Sequence, residues 1–407
     1  QESTGVGEDA GTLQIPIRLL TPNSKELRVP LRFGGSAHYQ RDFKTPPVLV
    51  IPPNTQTFNL SVSINDDHEI ECSETLMIEF EAVSDVIAVA RRTFMVTISD
   101  NDRTGRVLTV GSGNLYVVPS AAAAAAENGD IVDIAAGIYK GDVAVWRANE
   151  LMICGLGTGV QLEANGKAAE GKAIWVIKGN HVQVENIQFS GTKVSDMNGA
   201  GIRAEGDDLT VRQCRFTDNE NGILAGDRGD STITVEHSVF THNGAGDGRS
   251  HNIYVGKIKR LEIRYSTLQE ALIGHQVKSR ARETVVEYSR MIDGAGGRAS
   301  YEVDVPNGGL AVLVGNVIQK GPDADNWTLV SYGAEGVQHA DNRLYLANNT
   351  LVNDRNSGVF VQAPKDVPCF LFNNVFAGKG DIACAAGQQE GNVKADRGFV
   401  DRTRLDY

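Results

Sequence analysis

The sequence predicts an all-β protein, with an N-terminal antiparallel β-sandwich over residues 1–104 followed by a right-handed parallel β-helix over residues 105–407. Three observations predict it. Short apolar strands alternate with turn residues between Thr12 and Ile98, and a six-residue frame recurs from Val184 onward. Glycine is abundant at 44 residues while aromatic residues make up only 6%, which fits many strands joined by tight turns and disfavours a helical bundle. At 407 residues the chain exceeds one ordinary compact core, so a domain plus a repeat array is expected.

The first region reads as strands Leu13 to Leu19, Leu27 to Phe33, Thr57 to Ile64, Leu76 to Ala82 and Thr93 to Ile98. Its strand ends carry acids: Glu8-Asp9-Ala10-Gly11, Asp42-Phe43 after Ala37, Asp66-Asp67 followed by Glu71 and Glu74, and a closing Asp100-Asn101-Asp102. This order resembles the Calx-beta family over residues 1 to about 103. The resemblance implies that convergent loop carboxylates, here Glu8, Asp42, Asp66, Asp67, Asp100 and Asp102, bind Ca²⁺, which takes six to eight oxygen ligands. The alternative is a spacer module whose acids are solvated turn residues.

After Gly105, Ser120 is placed to cap a short Ala-rich helix ending near Asn128, and "GDIVDIAAGIYKGDVAVW" and "ELMICGLGTG" then read as successive strands. The frames begin at Val184, Val211, Val235, Ile263, Val286, Leu313, Leu346 and Leu371, at intervals of 27, 24, 28, 23, 27, 33 and 25 residues. Such variable spacing is that of a solenoid with loops on one side. The sixth frame residues, from Phe189 through Phe240 to Phe376, are large and apolar and should share one internal column. The fourth, Cys214, Ser238, Ser266, Ser289, Asn316, Asn349 and Asn374, should form an internal hydrogen-bonded ladder. This part resembles the pectate-lyase-like β-helix, in which a helix near residues 120–128 covers the open end of the core. The terminal phrase "GFVDRTRLDY" implies an incomplete last coil.

A second strand precedes each frame, and five of these align: 200–206, 221–227, 251–257, 275–281 and 301–307. The alignment puts Ile202, Ile223, Ile253, Val277 and Val303 inside and two columns outside. One outer column is Gly201, Gly222, Asn252, Gln276 and Glu302; the other is Arg203, Leu224, Tyr254, Lys278 and Asp304. Arg280 follows on the face of Lys278, and His251, His275 and Tyr301 stand where the strands begin.

A lyase acting on uronic acids must neutralise the carboxylate that acidifies the C5 proton, remove that proton, and protonate the leaving O4. Arg280, or Asn252 with Gln276, suits the first task, because a guanidinium offers a planar fork to a carboxylate. Lys278 suits the second, and Tyr254 or His275 the third. Glu302, Asp304, Arg203, His251 and Tyr301 complete the expected substrate-binding surface.

The stretch "VKSRARETVVEYS" resembles an element of the alginate lyase and chondroitinase B family, whose lysine is the base; acids expected ahead of it are replaced by Ala271 and Ile273. Other readings stand beside the lyase. These are a C5-epimerase sharing the proton abstraction, a glycoside hydrolase using Glu302 and Asp304, a non-catalytic adhesin or matrix protein, and a merely solvated ion cluster at Lys278 and Arg280.

The net charge of −12 disfavours nucleic-acid binding, and no run of about 18 apolar residues is present to span a membrane. Between Arg249 and Arg298 ten Lys or Arg face five acids, a candidate footprint for an acidic polysaccharide. The five cysteines (72, 154, 214, 369 and 384) imply neither a disulfide framework nor a zinc site. Gln1 and the lack of a signal peptide imply a processed or trimmed chain, and the domain types imply a secreted or cell-surface protein of bacterial type. A monomer is expected.

Overall fold

The computed structural model describes residues 2–81, 93–157, 159–384 and 387–395. The chain divides into two compact units, Gln1–Arg106 with Cys154–Thr158, and Val107–Ile153 with Gly159–Tyr407.

The first unit is a sandwich of two sheets. One has the spatial order Glu2–Gly7, Thr93–Ser99, Glu74–Phe80, Leu27–Gly35, Val48–Ile51. The other consists of Thr12–Arg18, Thr57–Ile64 and Phe43–Lys44. Pairing is antiparallel except at one edge, where Glu2–Gly7 runs parallel to Thr93–Ser99. That edge strand escapes sequence reading because "ESTGVG" has no apolar alternation. Elsewhere alternation works: Leu60, Val62 and Ile64 point inward from Thr57–Ile64 and meet Leu76, Ile78, Val96 and Ile98 in the core. Ala82, the expected end of the fourth strand, lies outside the described residues.

The second unit is a parallel β-helix, with three parallel sheets of 12, 11 and 10 strands. The six-residue frame is where the chain turns from the first sheet into the second. Its third residue is left-handed in every coil, with φ of 56° at Asn186, 48° at His237, 50° at Tyr265 and 52° at Asn373. The turn lets the first-sheet strand end and the second-sheet strand begin within two residues, so each sixth residue enters the same column. Phe189, Phe216 and Phe240 stack there with centroids 4.9 and 4.6 Å apart. The fourth-position ladder is continuous. Each backbone N–H donates to the side chain of the next coil, from Cys214 through Ser238, Ser266, Ser289, Asn316, Asn349 and Asn374 to Asn392. These bonds satisfy polar groups at a corner that water does not reach.

The short helix, Pro119–Ala125, differs from the expectation in its cap. Val118 is the N-cap residue and Pro119 opens the first turn, so Ser120 is already helical. Asp142 accepts from the Ser120 backbone N–H at 2.9 Å and satisfies that orphan donor instead.

The cysteine expectation is corrected. Cys72 pairs with Cys154 inside the first unit, Cys369 pairs with Cys384, and Cys214 is free and buried. Sequence separations of 82 and 15 residues carry no spacing signature, so only the fold reveals the partners. The phrase "GFVDRTRLDY" lies outside the described residues.

Candidate active site on the third sheet

The third sheet aligns the strands Ile253–Val255, Val277–Ser279, Val303–Val305 and Thr328–Tyr332 in register. Tyr254 pairs with Lys278, Lys278 with Asp304, and Asp304 with Ser331. Ile253, Val277 and Val303 are fully buried beneath them, so their neighbours stand on the outer wall.

Arg280 lies one step beyond the Lys278 strand and leans back over Tyr254. Its Nε donates to the phenol oxygen at 3.1 Å, and its Cζ is 5.9 Å from the ring centroid. The Lys278 amine stands 5.7 Å from the same centroid. That amine is 3.8 Å from Asp304 Oδ2 and 3.8 Å from Glu335 Oε1, too long for a well-made hydrogen bond to either. The Lys278 and Arg280 side chains are 15% and 19% exposed, enough to be touched from solvent.

Asp304 is nearly covered, and burial pushes its carboxyl up to about 6 against the pull of Lys278. Glu335 is held below the usual carboxylate range, chiefly by hydrogen bonds from Arg280. Sequence reading missed it. The signal was the 33-residue interval between the Leu313 and Leu346 frames, the longest in the array, which reports the loop that carries Glu335.

Asn252, Gln276 and Glu302, expected on the outer wall, are fully buried instead. They precede their strands at the corner where the chain enters the third sheet, so strand alternation does not apply and the column turns inward. A Cβ on Gly201 or Gly222, in the same column, would lie 2.6 Å from Phe216 or Phe240 of the core. The buried side chains form a chain of hydrogen bonds: Asn243 donates to Asn252 at 2.7 Å, and Asn252 to Gln276 at 2.5 Å. Glu302 follows Gln276 in the column, and its Oε1 is 3.0 Å from the Lys320 amine in a fully buried ion pair. None of these three reaches a ligand, and Glu302 cannot serve as a hydrolase carboxylate.

His251 and His275 are buried as well, with their rings stacked at 4.5 Å, and His275 continues to Tyr301 at 4.9 Å. Burial drives both imidazoles down, His251 to about 3. His275 Nδ1 accepts from the Tyr301 backbone N–H at 3.3 Å, so its proton sits on Nε2, 3.6 Å from Asp304 Oδ2. This neutral, covered ring does not suit the acid role. Tyr301 is partly exposed, and burial raises its phenol. Arg203 aligns with Leu224, which aligns with Tyr254, so it stands two coils from the phenol, 3.9 Å from Glu205.

The basic run does not form one patch. Lys257 precedes and Lys259, Arg260 and Arg264 belong to the first-sheet strand Ile258–Arg264, where Arg260 pairs with Glu262 and Glu283 and Arg264 with Glu262 and Glu287. Only Lys278 and Arg280 of that run stand on the wall described above.

In the first unit, Glu8, Asp100 and Asp102 bring carboxylate oxygens within 4.8 Å of one another. Asp66 joins through Asn101, whose side chain donates to it at 3.1 Å. Burial, with the charges of Asp100, Asp67 and Asp66, pushes the Glu8 carboxyl up to about 7. Asp102 Oδ2 is buried without a hydrogen-bond partner among the described residues. An all-oxygen donor set with surplus negative charge and a vacant lone pair fits a hard divalent cation. Asp42 departs from the expected set: it groups with His38 and Glu74, and Arg41 lies 3.6 Å away. Its carboxyl stays low because hydrogen bonds from His38 and Glu74, with the Arg41 charge, outweigh a larger burial effect.

Comparison with solved structures returns β-helices for most of the chain. A pectate lyase structure is 14% identical, covers 74% of this chain and 84% of its own, and has a TM-score of 0.54. The likeness is one of fold. An alginate lyase from Paenibacillus sp. str. FPU-7 is 17% identical over 71% of this chain and 99% of its own, with a TM-score of 0.43. The calcium binding domain CBD12 of CALX1.1 is 22% identical over 26% of this chain, with a TM-score of 0.23, and this chain spans about half (47%) of its length. No family model and no curated protein matches the chain.

Proposed function

We propose that the protein cleaves an acidic, uronate-containing polysaccharide by β-elimination at the wall of Tyr254, Lys278 and Arg280. The observation that carries this reading is the lateral register of Tyr254, Lys278 and Asp304 with Arg280 folded over the phenol. Arg280 neutralises the sugar carboxylate, which acidifies the C5–H bond. The Lys278 amine takes the C5 proton, the electron pair forms the C4=C5 double bond, and the C4–O4 bond breaks. The Tyr254 phenol gives its proton to the departing O4. Because Arg280 donates to the phenol oxygen, the phenol's own hydrogen is free for that acceptor. Asp304 lies 3.8 Å from the lysine and supplies a neighbouring carboxylate.

The test is a panel of alginate, glucuronan, pectate and glycosaminoglycans, followed by ultraviolet absorbance, with and without chelator. An absorbance rise from the unsaturated uronide is the expected result; binding without it leaves an adhesin. A hydrolase is the second reading, since neighbouring acids whose environments push them apart are the pattern of an acid and a base. Here Asp304 is raised to about 6 and Glu335 held low. New reducing ends without absorbance would favour it.

The same reading makes the protein secreted or cell-surface. Two disulfides support an oxidising compartment, and among the described residues no helix is long and apolar enough to cross a membrane. It also makes Glu8, Asp100 and Asp102, with Asp66 and Asp67 nearby, a Ca²⁺ site that stabilises the first unit. Without a cation, the raised Glu8 carboxyl contributes stability that is complete below about 4.5 and lost as pH rises through about 7. Added Ca²⁺ is therefore expected to raise the melting temperature strongly at pH 7.5 and little at pH 5. Equal melting with Ca²⁺ and with chelator at pH 7.5 removes calcium from this account.

A further inference from the structure

The guanidinium of Arg280 is already forked to a carboxylate. Its Nη1 lies 2.7 Å from Glu335 Oε2 and its Nη2 3.0 Å from Glu335 Oε1, the paired geometry of carboxylate recognition. The other partners of Arg280 belong to the body of the wall: the Tyr254 phenol, and the side chain of buried Asn307. Glu335 alone among them is loosely covered, with its side chain 49% exposed.

The backbone beneath Glu335 is pinned. Its N–H donates to Pro306 O at 2.9 Å, Gly336 N–H to Gly333 O at 3.0 Å, and Gln338 N–H to Asn307 O at 2.9 Å. Gly333 and Gly336 bracket the turn with φ of 69° and 88°, a conformation that other residues adopt at a cost. The turn is thus built to hold one flexible acidic side chain over the arginine, and moving that side chain aside disturbs no backbone bond.

We infer that Glu335 occupies on Arg280 the place of the substrate's own carboxylate, so that a uronate sugar enters by exchanging one carboxylate for another. This rests on the reading of the wall as a uronate site and adds a selection rule to it. A neutral sugar cannot replace the charge that Glu335 withdraws, whereas a uronate restores the fork. The exchange also carries away one of the two carboxylates beside the Lys278 amine, so the base is freed only when a charged sugar has arrived.

The experiment is calorimetric titration of uronate tetrasaccharides from alginate and pectate, and of their carboxyl-reduced neutral counterparts. It uses K278A protein, in which the ligand is not consumed, with Glu335 intact, as E335A and as the near-isosteric E335Q. Loss of the resident competitor is expected to tighten uronate binding about ten-fold and to leave neutral ligands unchanged. Uronate binding that is unchanged or weaker in both variants, while the protein with Glu335 intact binds, overturns this inference alone. Failure of any uronate to bind any of the three proteins overturns the uronate reading and this inference together.

Discussion

Lys278→Ala should lower turnover on the responsive polymer by a factor of about 10² to 10⁴, the usual contribution of a positioned general base, with melting temperature close to the parent. The fold should tolerate the change because Lys278 projects from a strand whose register is set by its neighbours. Val277 is fully buried in the core, Ser279 bonds Thr284 at 2.7 Å, and the ladder to Tyr254 and Asp304 is made of backbone. Lys278→Arg separates a base from a mere positive charge, since a guanidinium does not deprotonate near neutral pH. If the amine removes the proton, the arginine variant is as inactive as the alanine variant while still binding polymer. Activity retained in either variant, read from initial absorbance rates, removes Lys278 from the base role.

How far this wall was legible depends on which periodicity governs each residue. Within the strands the period is two and the register was readable, because Ile202, Ile223, Ile253, Val277 and Val303 form an unbroken apolar column to align on. One residue earlier that rule fails. Asn252, Gln276 and Glu302 sit on a corner, where the direction of a side chain is set by the turn between sheets, and polar identity suggested solvent where the structure has a sealed hydrogen-bonded line. The Asn and Ser ladder is readable as internal because six successive frames repeat it; the second line has only three polar members in its column, too few to show a repeat. Glu335 was invisible for another reason: loops have no period, and only the interval between frames marked its presence. The acidic cluster of the first unit follows the same logic. Glu8, Asp100 and Asp102 meet at strand ends, but Asp42, equally acidic in sequence, faces Arg41 and His38 instead.

That sealed line carries the largest expected effect on stability. Lys320→Met should destabilise the β-helix by about 3–5 kcal/mol, because it removes the counter-charge of a buried carboxylate without removing the carboxylate. The Lys320 amine is satisfied on several sides, by Glu302 at 3.0 Å and by the carbonyl oxygens of Ser300 at 2.6 Å and Ala299 at 3.4 Å. Burial already pushes Glu302 up to about 8 and Asp293 up to about 6, with Lys320 pulling both the other way. Stability from such raised carboxyls is complete below their unfolded values and is lost as pH rises through the folded ones, so the variant should lose more at pH 8 than at pH 5. Joining Glu302→Gln to Lys320→Met keeps the shape of the side chain while removing the second charge. The double variant should therefore be more stable than the sum of the two single losses allows, a positive coupling measurable by urea unfolding of all four proteins. Strict additivity, or a loss in Lys320→Met that does not grow with pH, would show that packing of the long lysine stem, and not charge, holds this corner closed.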